Sequence, residues 1–300
     1  MEVGLTEHLD SFVKNHSNRQ LAAIPLALFL VSALILGFML ASTGSPVKLG
    51  MEFMGGTQIS VATTQSAEAL ETEFSEYPMI DARETGSRVV MQFGPMSNEE
   101  QNQLTREVTS AYSGVDIKQI GPVYGASLQR QAVIAVILSF IGMAAVVFLI
   151  FKTLIPSAAV VLAAFSDIVI AAAFMNVAGI ELSLGTVAAL LMLIGYSVDS
   201  DILLTTRVLK RRGTVQENIS SAMKTGMTMT TTTLAALIVM YVVSTYSYLV
   251  IPSFSQITLL SNISIVLVFG LVADILNTWL LNTSILRWYV TRSGQRGRKA

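Results

Sequence analysis

Six stretches of this chain are apolar, or nearly so, over the length of a membrane-crossing helix, and nothing else in the sequence constrains its fold as much. They fall at 21–41, 132–151, 157–178, 184–204, 229–243 and 257–281. About 20 residues rising about 1.5 Å each cross the roughly 30 Å of hydrocarbon in a bilayer. Inside that layer every backbone N–H and C=O must be satisfied within the segment, which a helix achieves. The pattern predicts a polytopic α-helical membrane protein with six transmembrane helices. A composition of 52% hydrophobic and 13% charged residues agrees and sets aside an ordinary soluble domain. The first stretch exceeds the roughly 7 to 15 residues of a signal-peptide core, so it is expected to remain as a span.

Basic residues near the span ends orient the chain. Lys14, Arg19, Lys152, Arg207, Lys210, Arg211, Arg212, Lys224, Arg287, Arg292, Arg296, Arg298 and Lys299 all fall on one side, and the opposite short loops, 179–183 and 244–256, have none. The positive-inside rule therefore places both termini in the cytoplasm, with residues 1–20 a cytoplasmic segment and 287–300 a basic cytoplasmic tail. Leu5, Leu9, Phe12 and Val13 share one helical face of the first segment, which suits an interfacial helix or a leader that folds when docked. Trp279 and Trp288 are expected at the cytoplasmic headgroup boundary. The basic cluster 207–212 reads chiefly as a topology signal, with a contact to anionic membrane lipids as the other reading.

Residues 42–130 break the apolar pattern with eleven acidic and six basic side chains, so they are expected to form an extracytoplasmic domain between the first span and the bundle of 131–286. Residues 58–63 alternate like a strand, and Ala67, Leu70, Phe74 and Tyr77 follow at helical spacing. Two further alternating runs, 79–85 and 87–93, flank Gly86 as a hairpin would. Ser97 and Glu100 have the spacing of a capping box before a helix through Leu104, Val108 and Ala111. A last alternating run, 115–120, stops at Gly121-Pro122. The order βαββαβ is that of a ferredoxin-like α+β unit.

The candidates for chemistry are the carboxylates inside the spans: Asp167, Asp199, Asp201 and Asp274. A charged side chain at the bilayer centre costs about 2.5 to 3.5 kcal/mol on the mildest insertion scale, so its presence marks a pathway or a partner. No basic residue lies deep in any span. A carboxylate removed from water without a cation favours its neutral form, as a proton carrier near neutral pH requires. The alternative is that each is held by hydroxyl or backbone groups and fastens helices together. Asp199, beside the small Gly195 and Ser197, is expected to face the bundle interior near Asp167 or Asp274. Asp201 lies within reach of Arg207 or Lys210 snorkelling from the cytoplasmic end. Thr228, Thr230, Thr231, Thr232 and Thr233 would line a hydrated path or bond to carbonyls one turn back. With no cysteine, there is neither thiolate chemistry nor a disulfide. Nothing in the pattern calls for a metal, a cofactor, a nucleotide or nucleic acid, and no enzymatic motif is present.

Three separated motifs carry a resemblance. GMEFMGGT at 50–57 is close to G-x-D-F-x-G-G-T, with Gly50, Phe53, Gly55, Gly56 and Thr57 in place and Glu52 for Asp. GPVYGASL at 121–128 is similar to G-P-x-V-G-x-x-L. GYSVDSD at 195–201, followed by Arg207, resembles G-Y-S-[IV]-N-D-T ending in D-R, matching at Gly195, Tyr196, Ser197, Val198 and Arg207. In the fourth-span motif the acidic position has shifted, since the family's Asp falls on Ser200. Asp199 instead falls where the sister subunit SecD has its own. On these motifs the chain resembles the SecF family of protein-export subunits, in its archaeal branch.

The resemblance implies a resistance-nodulation-division-like architecture and a complex with SecD and the Sec translocon, comprising SecY and its associated subunits. In that complex proton flow moves the outer domains and draws exported polypeptides across the membrane. It also implies that Asp199, Asp201, Asp167 and Asp274 form a proton relay. The glycines of 50–57 would serve as a hinge or as a plain tight turn. An RND-type transporter of small molecules or lipids is the alternative function, and it would call for a larger outer domain and normally twelve spans in one chain. A scaffold that merely stabilises SecD would tolerate neutralised aspartates.

Overall fold

A computed structural model describes residues 2–85, 87–250 and 257–297. The Gly86 turn, the 251–256 part of the expected outer loop and the basic residues Arg298 and Lys299 lie outside the described residues. Helix α1 (Glu2–Asn15) is followed by α2 (Asn18–Thr43), which starts with a capping box between Ser17 and Gln20. The short α3 (Met51–Met54) leads into the polar unit, which returns to the bundle through α6 (Pro122–Phe151). Helices α7 (Leu154–Val177), α8 (Leu184–Lys210), α9 (Val215–Val250) and α10 (Thr258–Leu276) follow. A π-helical turn, Asn277–Asn282, joins α10 to α11 (Thr283–Gly297). Six of these segments are long and apolar enough to cross a membrane.

The polar unit contains strands β1 (Gly56–Ala62), β2 (Met79–Thr85), β3 (Arg88–Phe93) and β4 (Asp116–Ile120), with α4 (Ala67–Glu73) and α5 (Asn98–Ala111) between them. Its small sheet has the order β2-β3-β1-β4, antiparallel throughout, with Ile59 opposite Met91 and Ile117. Leu70 on α4, Phe74 just past its end, and Leu104 and Val108 on α5 close over Ile59, Val61, Val89 and Met91. Period-2 burial in the strands and 3.6-residue burial in the helices thus meet in one apolar core. Ser97 and Glu100 do form the capping box, whose bonds to the Glu100 carboxylate hold that group below the usual carboxylate range.

In the bundle, α7, α8 and α10 form the interior, while α2 and α6 have few fully buried residues. Glycine lets two of the inner helices touch. A Cβ on Gly270 would lie 2.3 Å from Leu193 Cδ2, so α10 presses its backbone against the side chain from α8. Several helices run past the apolar stretches that signal them. Helix α8 continues to Lys210, and α9 runs unbroken to Val250, so the fifth span continues as helix through 244–250. Trp279 departs from expectation too. It is fully buried and packs against Gly226, where a Cβ would lie 2.5 Å from the indole. Trp288 remains half-exposed, with the Arg292 guanidinium over its ring.

Candidate functional site

Asp167 on α7, Asp201 on α8 and Asp274 on α10 come together in the centre of the bundle, each at most 1% exposed. Hydroxyl and amide groups from the same helices surround them. Ser197 donates to Asp167 Oδ2 at 2.5 Å, and Asn277 Nδ2 donates to Asp167 Oδ1 at 2.6 Å and to Ser166 Oγ at 3.0 Å. Asn282 Nδ2 donates to Asp201 Oδ1 at 2.7 Å. The Thr278 hydroxyl lies 2.9 Å from Asp201 Oδ1 and 2.9 Å from Asp274 Oδ1. Among the described residues, Asp201 Oδ2, Asp274 Oδ2, Asn277 Oδ1 and Asn282 Oδ1 are buried with no hydrogen-bond partner.

Local geometry explains why these residues meet. Ser197 and Asp201 are one turn apart on α8 and share a face. On the last span, Asp274, Asn277, Thr278 and Asn282 are spaced 0, 3, 4 and 8, which follows one stripe of a helix. The π-helical turn lies on the last three of these, where a locally wider i→i+5 turn changes the aim of the side chains, a device common at functional sites. That spacing was readable in the sequence, yet attention to carboxylates alone passes over Asn277, Thr278 and Asn282. The π turn has no sequence signature.

Asp199 is not in this cluster, which corrects the expectation that it faces the interior. At 3.6 residues per turn it lies about 200° around α8 from Asp201, so only one of the two can face inward. Ser197 and Asp201 take that side, and Gly195, Tyr196 and Asp199 are exposed on the other. A Cβ on Gly195 would meet no atom within 4 Å among the described residues, so this glycine mediates no close helix contact with them.

The cations expected near Asp201 are engaged elsewhere. Arg207 donates to the Ser221 carbonyl, to Ser221 Oγ at 2.7 Å and to Thr225 Oγ1 at 2.9 Å, all on α9. Lys210 reaches the Ile150 carbonyl at 3.3 Å. Among the described residues, no ion pair involves the three buried carboxyls. The hydroxyls of Thr228, Thr231, Thr232 and Thr233 bond to carbonyls one turn back on α9.

The motif at 50–57 is a tightly packed joint between the bundle and the unit that holds the sheet. Gly50 N–H donates to the Leu182 carbonyl at 2.8 Å, and Leu182 N–H to the Lys48 carbonyl at 2.7 Å. The Glu52 carboxylate accepts from the N–H of Leu184, the first residue of α8, where unpaired N–H groups and the helix dipole favour an anion. Lys48 and Arg83 each lie 3.2 Å from Glu181 Oε1 in the turn before α8. Phe53 is buried, and Thr57 accepts from Gln101 Nε2 at 2.7 Å. Gly55 (φ +77°) and Gly56 (φ +133°) hold conformations that favour glycine, and a Cβ on Gly55 would lie 2.7 Å from the Pro122 backbone. A Cβ on Gly125 of α6 would come within 2.7 Å of the Phe53 carbonyl.

Comparisons with known proteins place these features in context. The sequence model of the family described as protein export membrane protein SecD/SecF, C-terminal, matches residues 100–292. The chain is 46% identical over 283 residues to the protein-export membrane protein SecF of Methanolacinia petrolearia, covering 94% of this chain and 98% of that one. It is 44% identical to the SecF of Haloferax volcanii, with coverages of 91% and 93%. Among solved structures it is similar to the crystal structure of SecDF, a translocon-associated membrane protein, from Thermus thermophilus. The TM-score is 0.70 at 20% identity, over 91% of this chain and 38% of that one. The chain thus spans well under half of that SecDF polypeptide, and the likeness is one of fold.

Proposed function

The chain belongs to the SecF family of protein-export membrane proteins, and from that premise we propose that it is the SecF subunit of a SecD–SecF complex that uses the proton motive force to help polypeptides through the Sec translocon. The observation that carries the reading is the meeting of Asp167, Asp201 and Asp274, on three helices, with hydroxyl and amide partners and, among the described residues, no ion pair. Carboxyls so placed can gain and lose protons where fixed ion pairs cannot, and each change of charge in a low-dielectric interior shifts how the three helices fit.

In this reading both termini are cytoplasmic and 42–130 is an extracytoplasmic, ferredoxin-like domain, which the strand order β2-β3-β1-β4 supports. Protonation at Asp201 moves α8. The joint at Gly50, Glu52 and Glu181 passes that movement to the outer domain, so Gly50, Gly55 and Gly56 work as a close-packed coupling in place of a loose hinge. SecD covers the outward face of α8, because an exposed Asp199 at membrane depth is costly unless a partner supplies donors.

The two aspartates therefore separate in one experiment on the assembled complex. Asp201→Asn keeps shape and hydrogen bonding without a titratable proton. It is expected to co-purify with SecD normally and to lose the export stimulated by an imposed proton gradient. Asp199→Asn is expected to weaken recovery with SecD and, at equal complex levels, to retain the gradient response. Normal gradient-driven export by Asp201→Asn would remove the assignment.

A further inference from the structure

The three-carboxylate site leaves one contact that ordinary pairing does not explain. Thr278 Oγ1 lies 2.9 Å from Asp201 Oδ1 and 2.9 Å from Asp274 Oδ1, yet a hydroxyl has a single hydrogen to donate. If both contacts are hydrogen bonds, one has the hydroxyl as donor and the other has it as acceptor from a carboxyl O–H. Asp201 Oδ1 already accepts from Asn282 Nδ2 at 2.7 Å and is the natural acceptor end. The retained proton then sits on Asp274. The threonines of α9, part-buried or exposed, show what a threonine in an apolar helix otherwise does, turning its hydroxyl to a carbonyl one turn back. Thr278, fully buried in the π-helical turn, presents its hydroxyl to two carboxyls on different helices.

We propose that Thr278 is a proton-relay residue that passes a proton between Asp274 on α10 and Asp201 on α8. The inference rests on the proton-driven reading above and adds a route to it. In the step, the Asp274 Oδ1–H bond breaks as a new O–H forms on Thr278 Oγ1, and the hydrogen Thr278 held before moves to Asp201 Oδ1. Thr278 is unchanged, and one proton has crossed from α10 to α8 with the negative charge moving the opposite way. Rotation of the hydroxyl resets the relay. The other groups about these two carboxyls are Ser197 and Ser200 from α8, Asp167 from α7, and Asn282 from the π-helical turn, with Asn277 of that turn on Asp167. Among the described residues no cation joins them to arrest the exchange.

The test uses the complex with SecD in sealed vesicles, with Thr278→Val, Thr278→Ser, Asp201→Asn and the parent at equal levels. Thr278→Val, the same shape without the hydroxyl, is expected to lose gradient-driven export, and Thr278→Ser to retain it. Parental behaviour by Thr278→Val alongside loss in Asp201→Asn would overturn the relay and leave the site. Normal export by Asp201→Asn would overturn the proton reading itself. Failure of Thr278→Ser as complete as that of Thr278→Val would show that the hydroxyl is not what matters. Infrared spectra of the purified parent complex give a readout independent of the valine variant. They are expected to show a hydrogen-bonded, protonated carboxyl C=O band near neutral pH that Asp274→Asn abolishes. Its absence from the parent would contradict the relay.

Discussion

Helix α8 carries two polar clusters of opposite character, separated by 17 residues, or about 26 Å. At its first turn, Glu52 meets the helix N-terminus and Glu181 pairs with Lys48 and Arg83. Near its middle, Asp201 joins Asp167 and Asp274 with no cation among the described residues. Carboxylates that are paired have one stable state and so fix position. Carboxyls that share hydroxyl and amide donors have alternatives close in energy, because a proton can reside on more than one of them. In the proposed function, the same helix is pinned where it meets the domain that holds the sheet and is free to change charge in the bundle interior.

The comparison breaks most visibly at the joint, where packing leaves no slack. A Cβ on Gly56 would lie 2.2 Å from the Phe93 carbonyl at a backbone angle that side chains rarely adopt. Gly56→Ala is expected to cost about 1–3 kcal/mol or more through overpacking and strain. Thermal unfolding of the purified complex and protease sensitivity near 44–56 would register it, whereas Asp201→Asn is expected to leave both unchanged. An equally destabilised Asp201→Asn would erase the distinction between a joint that fixes structure and a core that titrates.

A smaller effect sharpens the same point. Glu181→Gln removes two ion pairs, but Lys48 and Arg83 are 46% and 40% exposed. After solvent screening the loss is expected to be no more than about 1 kcal/mol. It should be present at low salt and vanish at high salt, as exposed charge pairs do. Salt-independent destabilisation would show that Glu181 acts through packing instead.

Much of this architecture can be read from the residues because period and composition speak for themselves. Residues 56–120 alternate where they form strands, and Ser97 with Glu100 marks a helix start that the structure shows. The six spans follow from length and apolarity. Direction around a membrane helix is harder. A helix apolar on nearly all sides has no polar face to orient it, so choosing between Asp199 and Asp201 required knowing which side Ser197 and Leu193 bury. Trp279 misleads for a related reason, since an indole suits a headgroup boundary as well as a slot opposite Gly226. The joint is only half legible. Its glycines announce close approach, but their contact surfaces, the 122–125 backbone and the turn before α8, lie about 70 and 130 residues away in the chain.

The central claim is that protons pass through the carboxyls held by α7, α8 and α10, with Asp201 indispensable. Proton movement should be recorded directly, with a pH-sensitive dye inside sealed vesicles containing the complex with SecD, under an imposed voltage and with no exported substrate to complicate the signal. The expected result is voltage-driven proton entry in the parent and in Asp199→Asn, and entry at the level of protein-free vesicles in Asp201→Asn. Equal proton entry in the parent and Asp201→Asn would contradict it.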